Sequence, residues 1–280
     1  MKILLIDGYN SFFIARSGFV AGEFSTVYNF FRWLKAQITL HEPDRVVIAL
    51  EGEPKKRLEL LSSYKQNRVI DPSDQDKLKK QDDFARQKNI IVKALCEMFP
   101  VSVVRHPSFE ADDTIYNLIC NASSITQWTV VSTDTDFFQL FQGETREKNV
   151  KLYNSVKKKF CEPTEYDYVT WKALRGDPTD NIIGIAGIGE KRAAVLASKD
   201  IKDIELKTPE EMLQFQMNLK LIRFERWTEE ETLLMESSKE HDIDFEKIKS
   251  FFESMQFSSL IKEPYWNKFV STFTKLTQCK

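Results

Sequence analysis

Carboxylates recur in this chain just where short apolar runs end. Asp7 closes residues 2–6, and Glu51 follows the run RVVIAL at 45–50. Asp134 and Asp136 follow residues 129–132 in Ser132-Thr133-Asp134-Thr135-Asp136, and Glu110-Ala111-Asp112-Asp113 follows residues 101–104. A single acid at such a place is ordinarily a solvated loop or cap residue. Glu110, Asp112 and Asp113 alone also fit acids drawn to a helix N-terminus by its dipole. Four groups gathered together are different, because crowded like charges raise one another's pKa unless a cation intervenes. Hard oxygen ligands without His or Cys suit Mg²⁺ or Mn²⁺. A pair of such ions can activate a water and stabilise the leaving oxygen of a phosphodiester. The chemistry implied is metal-dependent phosphoryl transfer.

A further acidic pair, Asp177 and Asp180, lies in Gly176-Asp177-Pro178-Thr179-Asp180-Asn181 and leads into Ile182-Ile183-Gly184-Ile185-Ala186-Gly187-Ile188-Gly189-Glu190. Glycines at 184, 187 and 189 ahead of a helical run, with Lys191 and Arg192 next, make a helix–hairpin–helix type of signal. Backbone N–H groups at such a helix start can bind phosphate; a plain turn is the competing reading. GxxxxGK[ST] is absent, so there is no P-loop. Two stretches are locally basic: residues 55–93 hold 11 Lys/Arg against 6 Asp/Glu, and residues 146–159 hold 6 against 1. These suit phosphates, or equally solvated faces. Tyr64, before Lys65 and Arg68, suits stacking on a base or half-buried packing.

The elements that must place these residues follow from periodicity. Residues 2–6, 45–50, 101–104 and 129–132 read as buried strands. Residues 27–40, 90–98 and 112–120 have helical spacing. Strands alternating with helices give a mostly parallel α/β sheet flanked by helices, whose ligand sites lie beyond the carboxyl ends of its strands. That rule collects the acidic groups at one sheet edge. Residues 69–88 read as a mobile loop or helical pair over the site. From Thr164-Glu165-Tyr166-Asp167, read as a capping box opening a helix to 174, the chain turns helical. This divides it into residues 1–162, an α/β domain, and 163–280, a helical domain without confident strands.

Composition bounds the rest. The chain has 280 residues, 42% hydrophobic and 29% charged, with a net charge of −2, so no overall basic excess points to nucleic acid. Cys96, Cys120, Cys161 and Cys279 are scattered and read as mostly buried free thiols, and His41, His106 and His241 stand apart. That excludes a zinc or Ser-His-Asp reading. No run is long enough for a membrane span, and the expected setting is cytoplasmic.

Taken together, Ile6-Asp7-Gly8-Tyr9-Asn10, Tyr64-Lys65-x-x-Arg68, EADD at 110–113, Asp134-x-Asp136 and GDxxDNIxG at 176–184 resemble the 5′-nuclease family. That family includes flap endonucleases, phage 5′-exonucleases and ribonucleases H, and the 5′-nuclease domain of DNA polymerase I. The resemblance covers nearly the whole chain. It implies two metal clusters: Asp7, Glu51, Glu110 and Asp112, with Asp113 close by, and Asp134, Asp136, Asp177 and Asp180. It implies that Lys65 and Arg68 contact the scissile phosphate, that Tyr64 stacks on the terminal base, and that residues 66–95 form a helical arch threaded by a 5′ strand. It implies a helix–three-turn–helix element at about 170–197, in which Gly184, Gly187, Gly189, Lys191 and Arg192 meet duplex backbone and K⁺ is held. The expected enzyme is a monomer that uses two Mg²⁺ or Mn²⁺ ions on DNA or RNA–DNA with a 5′ flap or end, alongside a polymerase, clamp or single-strand-binding protein. The departure is Leu50-Glu51-Gly52, where the family usually has Asp. A non-catalytic junction binder on the same scaffold is the competing expectation.

Overall fold

The computed structural model describes residues 1–19, 22–238 and 242–277; His241 and Cys279 lie outside these. The strands are β1 (Lys2–Asp7), β2 (Arg45–Leu50), β3 (Ser102–Arg105), β4 (Gln127–Val131), β5 (Asn149–Asn154), β6 (Lys159–Cys161), β7 (Gly176–Asp177), β8 (Ile182–Ile183) and β9 (Glu236–Ser237). The helices are α1 (Gly8–Arg16), α2 (Ser25–His41), α3 (Lys55–Leu60), α4 (Gln75–Met98), α5 (Ala111–Asn121), α6 (Tyr168–Arg175), α7 (Glu190–Ala197), α8 (Pro209–Ile222), α9 (Glu229–Leu233), α10 (Phe245–Ser254), α11 (Ser258–Ile261) and α12 (Tyr265–Thr277).

One sheet runs in the order β6-β5-β4-β1-β2-β3-β9. Its five central strands are parallel and its two edge strands antiparallel. The four strands read from the sequence are all present. β5 and β6 were not read as strands because lysines interrupt their apolar pattern: only Leu152, Tyr153 and Asn154 of β5 are buried. β9 and the β7–β8 pair are two residues long each, too short to leave a periodicity.

α1, α2 and α4 cover one sheet face and α5 the other. On the first face, Phe30, Phe31 and Leu34 of α2 meet Ile91 and Leu95 of α4, all fully buried. The same cluster takes in Ile248 and Phe252 of α10, Leu260 of α11, and Phe269 and Phe273 of α12. Residues after 244 therefore pack with the first core. Residues 168–222 form a cluster of their own that includes Tyr64.

Two local readings change. The cap of α6 is Asp167, whose carboxylate accepts the Thr170 N–H, while Thr164 Oγ1 donates to the Tyr166 carbonyl. Asp caps as well as Thr, and here it stands one residue before the first helical position. Residues 69–74 are a short connection, and the rest of the expected loop or helical pair is the first turns of α4, a single 24-residue helix capped by Asp74. Cys96, Cys120 and Cys161 are free thiols, half-buried rather than buried.

Phe252 links the tail to the sheet core, fully buried and with its ring 5.5 Å from those of Phe31 and Phe269. Phe252→Ala is expected to lower unfolding free energy by roughly 3–5 kcal/mol, read as a shifted urea midpoint with an unchanged slope. A loss below about 1 kcal/mol would show that the tail is not part of the core.

Candidate metal centre and nucleic-acid interface

Chain direction decides the site. β1, β2 and β4 run parallel in register, so Asp7, Glu51 and Asp134 emerge at one edge of the sheet. Asp7 also caps α1, accepting the Asn10 N–H at 3.1 Å, and accepts a hydrogen bond from Ser132 Oγ at 2.8 Å. Glu51 Oε2 accepts the Ala111 N–H at 3.0 Å, which ties the end of β2 to the start of α5. Gly52 permits that approach, because a Cβ there would stand 1.9 Å from the His106 carbonyl oxygen.

The result is a cleft of about 480 Å³ lined by Asp7, Glu51, Glu110, Asp112, Asp134, Asp136, Asp177 and Asp180. Lys65, Arg68 and Lys172 line it too. Carboxylate oxygens of Glu110, Asp112 and Asp113 lie within 4.8 Å of one another, as do those of Asp136, Asp177 and Asp180. Two groups of hard oxygen donors fit divalent metal ions.

Asp113 sits deeper than the other acids. It is fully buried, and Arg57 grips both its oxygens at 2.7 and 2.9 Å while the Glu225 N–H adds a third contact at 2.8 Å. It does not line the cleft, although its oxygens lie with those of Glu110 and Asp112. Arg57 also binds Glu110 and donates to the Leu221 and Arg223 carbonyls. The basic stretch at 55–57 therefore does not simply face phosphates: Arg57 is buried, and Lys56 pairs with Glu231 at 2.8 Å and Glu225 at 3.4 Å.

Tyr64 is only 6% exposed and packs in the second core, with its hydroxyl 3.0 Å from Glu110 and 3.3 Å from Asp180. That enclosure fits the packing reading of Tyr64 rather than stacking on a base. Lys65 and Arg68 are at the cleft as expected, with Lys65 paired to Glu110 and Arg68 to Asp180. Lys65 has φ +55, a left-handed conformation that costs a non-glycine residue energy and gathers at working sites.

Sequence reasoning missed Lys172. Its ammonium lies 2.6 Å from Asp177 and also pairs with Asp136, whose Oδ1 accepts from the Tyr168 hydroxyl at 3.0 Å. A lysine in WKALRGD has no distinguishing neighbour. Only the structure shows that α6 is buried on nearly every side, which leaves a charge there in need of partners. Gly184, Gly187 and Gly189 form the turn between β8 and α7. Gly184 lets the chain cross itself, since a Cβ would fall 2.0 Å from the Arg175 carbonyl oxygen. Lys191 and Arg192 open α7 on its exposed side.

Charge crowding registers in the carboxyl groups. Desolvation, then Glu110 and Asp7, push Glu51 up to about 7. Desolvation and Asp136 push Asp134 up to about 7, although both side chains open to solvent at the cleft mouth. Burial raises Asp7, and burial with Asp113 raises Asp112. Against burial, Lys65 and Arg57 hold Glu110 low, and Lys172 holds Asp177 low.

The profile described as 5′-3′ exonuclease, N-terminal resolvase-like domain, matches residues 2–170. The chain belongs to this 5′-3′ exonuclease family. It is 31% identical over 220 positions to the 5′-3′ exonuclease of Mycoplasmopsis pulmonis, covering 73% of this chain and 68% of the relative. It is 27% identical over 289 positions to the thermostable DNA polymerase I of Thermus filiformis, covering 94% of this chain but 33% of the polymerase. The chain thus spans about a third of that relative's length. Bacteriophage T5 flap endonuclease, solved in a pseudo-enzyme-product complex with DNA and metal ions, shares the fold with a TM-score of 0.61 at 19% identity, covering 79% of this chain and 89% of that one. Among the described residues no helix is long and apolar enough to cross a membrane.

The raised carboxyl groups set the pH dependence of stability. A carboxyl whose pKa is higher folded than unfolded binds more protons in the folded state, so stability falls as pH rises from its unfolded value, near 4.5 for Glu51, toward 7. In EDTA the melting temperature should fall between about pH 5 and about pH 8. Mg²⁺ should raise it more at the higher pH, because only ionised carboxylates bind the ion. An equal Mg²⁺ effect at both pH values would contradict a metal role for these groups.

Proposed function

We propose that the protein is a structure-selective 5′-nuclease, hydrolysing phosphodiesters near the 5′ ends of flapped or nicked DNA or RNA–DNA with two divalent ions, Mg²⁺ or Mn²⁺. One observation carries this reading: eight carboxylates face one cleft while Lys65 and Arg68 stand at the same place. A carboxylate cluster of that density repels a phosphodiester unless cations bridge the two. Divalent ions supply Lewis acidity toward the phosphate and an acidified water.

The chain's own groups take definite parts. Asp7, Glu51, Glu110 and Asp112 make one oxygen face, and Asp134, Asp136, Asp177 and Asp180 the other. Lys172 neutralises part of the second face, pairing with Asp136 and holding Asp177 ionised before metal arrives. Lys65, held out in a left-handed conformation, exchanges Glu110 for a substrate phosphate, and Arg68 exchanges Asp180. The turn at 184–189 with Lys191 and Arg192 is the duplex-backbone contact, a helix–three-turn–helix element that would hold K⁺. Residues 66–95, with α4 as their rigid part, are the arch beside a 5′ strand. Replication proteins such as a polymerase are the partners this activity calls for.

Asp134→Asn combined with Asp136→Asn should abolish Mg²⁺-dependent cleavage of a labelled 5′-flap duplex while leaving its binding measurable in a gel shift. Cleavage at the wild-type rate would end the metal assignment of these two groups, and binding without cleavage by the wild type would favour a junction-binding protein.

Lys65→Ala should slow single-turnover cleavage by about 10²-fold or more, with a much smaller change in flap affinity, as removal of a preorganised donor does. A rate within about twofold of wild type would remove Lys65 from the chemical step.

A further inference from the structure

The run Lys157-Lys158-Lys159 takes no part in the metal cleft. Lys157 and Lys158, the latter at φ +53, lie in the turn joining β5 to β6, and Lys159 opens β6. Beside it lies a groove of about 450 Å³ that shares no lining residue with the cleft. Lys2, Gln127 and Asn149 open β1, β4 and β5 and line one end of the groove. It therefore begins at the opposite end of the sheet from Asp7 and Asp134.

Its lining carries Lys2, Lys151, Lys158 and Lys159 and no Asp or Glu. None of these four ammonium groups forms an ion pair with a described carboxylate. The floor is aromatic. His41 packs edge-on against Tyr153 at 4.6 Å, and Phe160 stands 5.1 Å from Tyr153 and 5.9 Å from His41. Phe160 remains 45% exposed, with the Lys151 ammonium 5.9 Å from its ring centre. His41 Nε2 is buried without a hydrogen-bond partner. The wall is β6, the edge strand of the sheet, so one row of its N–H and C=O groups has no strand partner among the described residues.

We propose that the β6 edge beside this groove docks an extended acidic segment of a partner protein, which adds as a strand to β6 and sets its carboxylates against Lys151 and Lys158 and an apolar side chain on Phe160. Edge strands with unpaired donors and acceptors are templates for strand addition, and the unneutralised lysines beside this edge fix the charge of the occupant. The edge decides between a peptide and a nucleic acid. A peptide backbone returns both donors and acceptors to the strand, whereas a phosphodiester chain offers acceptors without the alternating donors. The proposal does not depend on the nuclease reading.

The test is fluorescence anisotropy with a labelled eight-residue peptide alternating Asp or Glu with Val or Phe, titrated with the full chain. Saturable binding that weakens with salt is expected. Lys151→Glu with Lys158→Glu should cut affinity by about tenfold or more, since like charges are then opposed, and Phe160→Ser should weaken binding with the salt dependence retained. Circular dichroism and melting identify variants that stay folded. The same peptide with Lys in place of its acids should not bind. The proposal is overturned if the acidic peptide shows no saturation, or if the folded charge-reversal variant binds like wild type. Displacement of the peptide by an oligothymidylate of equal length more readily than by unlabelled peptide would overturn it in favour of a nucleic-acid groove.

Discussion

Repulsion among carboxylates is the constraint from which the rest of this molecule follows. A parallel sheet delivers acids to one edge whether or not they can coexist there. Here they coexist because four cations are interleaved with them. Arg57 lies beneath Glu110 and Asp113, Lys65 against Glu110, Arg68 against Asp180, and Lys172 between Asp136 and Asp177. Buried ion pairs of this kind lose most of their Coulomb gain to desolvation. Their effect is positional: they keep the oxygens aimed at common points while the net charge of the cleft stays negative enough to attract metal.

Arg57 also joins distant parts of the chain. Its guanidinium holds acids at the start of α5 and carbonyls at the C-terminal end of α8, so α8 is bonded to the acids beside the cleft. Asn117 extends the connection, donating to the Glu225 carbonyl and accepting the Trp227 N–H. A displacement of α8 therefore reaches Glu110 through a single side chain, Arg57, with no flexible linker between.

Much of this was legible in the sequence, and the parts that were not share a physical reason. Strands at 45–50 and 127–131 are continuous apolar runs, so both their existence and the edge at which Glu51 and Asp134 emerge could be read from chain direction. β5 could not, because its exposed Asn149 and Lys151 break the apolar pattern. The eight cleft carboxylates were found by type and place. Asp113 follows Asp112 by a single residue, and only packing shows that its side chain turns inward to Arg57. Tyr64 stayed open for a related reason: a tyrosine beside basic residues suits an exposed platform or half-buried packing, and what favours packing is the second hydrophobic core rising to enclose its ring. Lys172 illustrates the general limit. Burial creates its role, and burial on all sides of a helix is a tertiary property.

The packing of α10 to α12 onto the sheet has a consequence for how the chain is made. A ribosome emits β1 to β5 and α1 to α5 long before residues 245–277. Until those arrive, the outer faces of α2 and α4 around Phe31 and Phe99 have no cover. Contacts of such sequence separation form late and slowly, and incomplete chains present apolar surface meanwhile. A message cut short near codon 240 yields a protein holding the eight cleft carboxylates, Lys65 and Lys172, yet lacking the closure of its own core. Its fate is set by chaperones and proteases rather than by its chemistry.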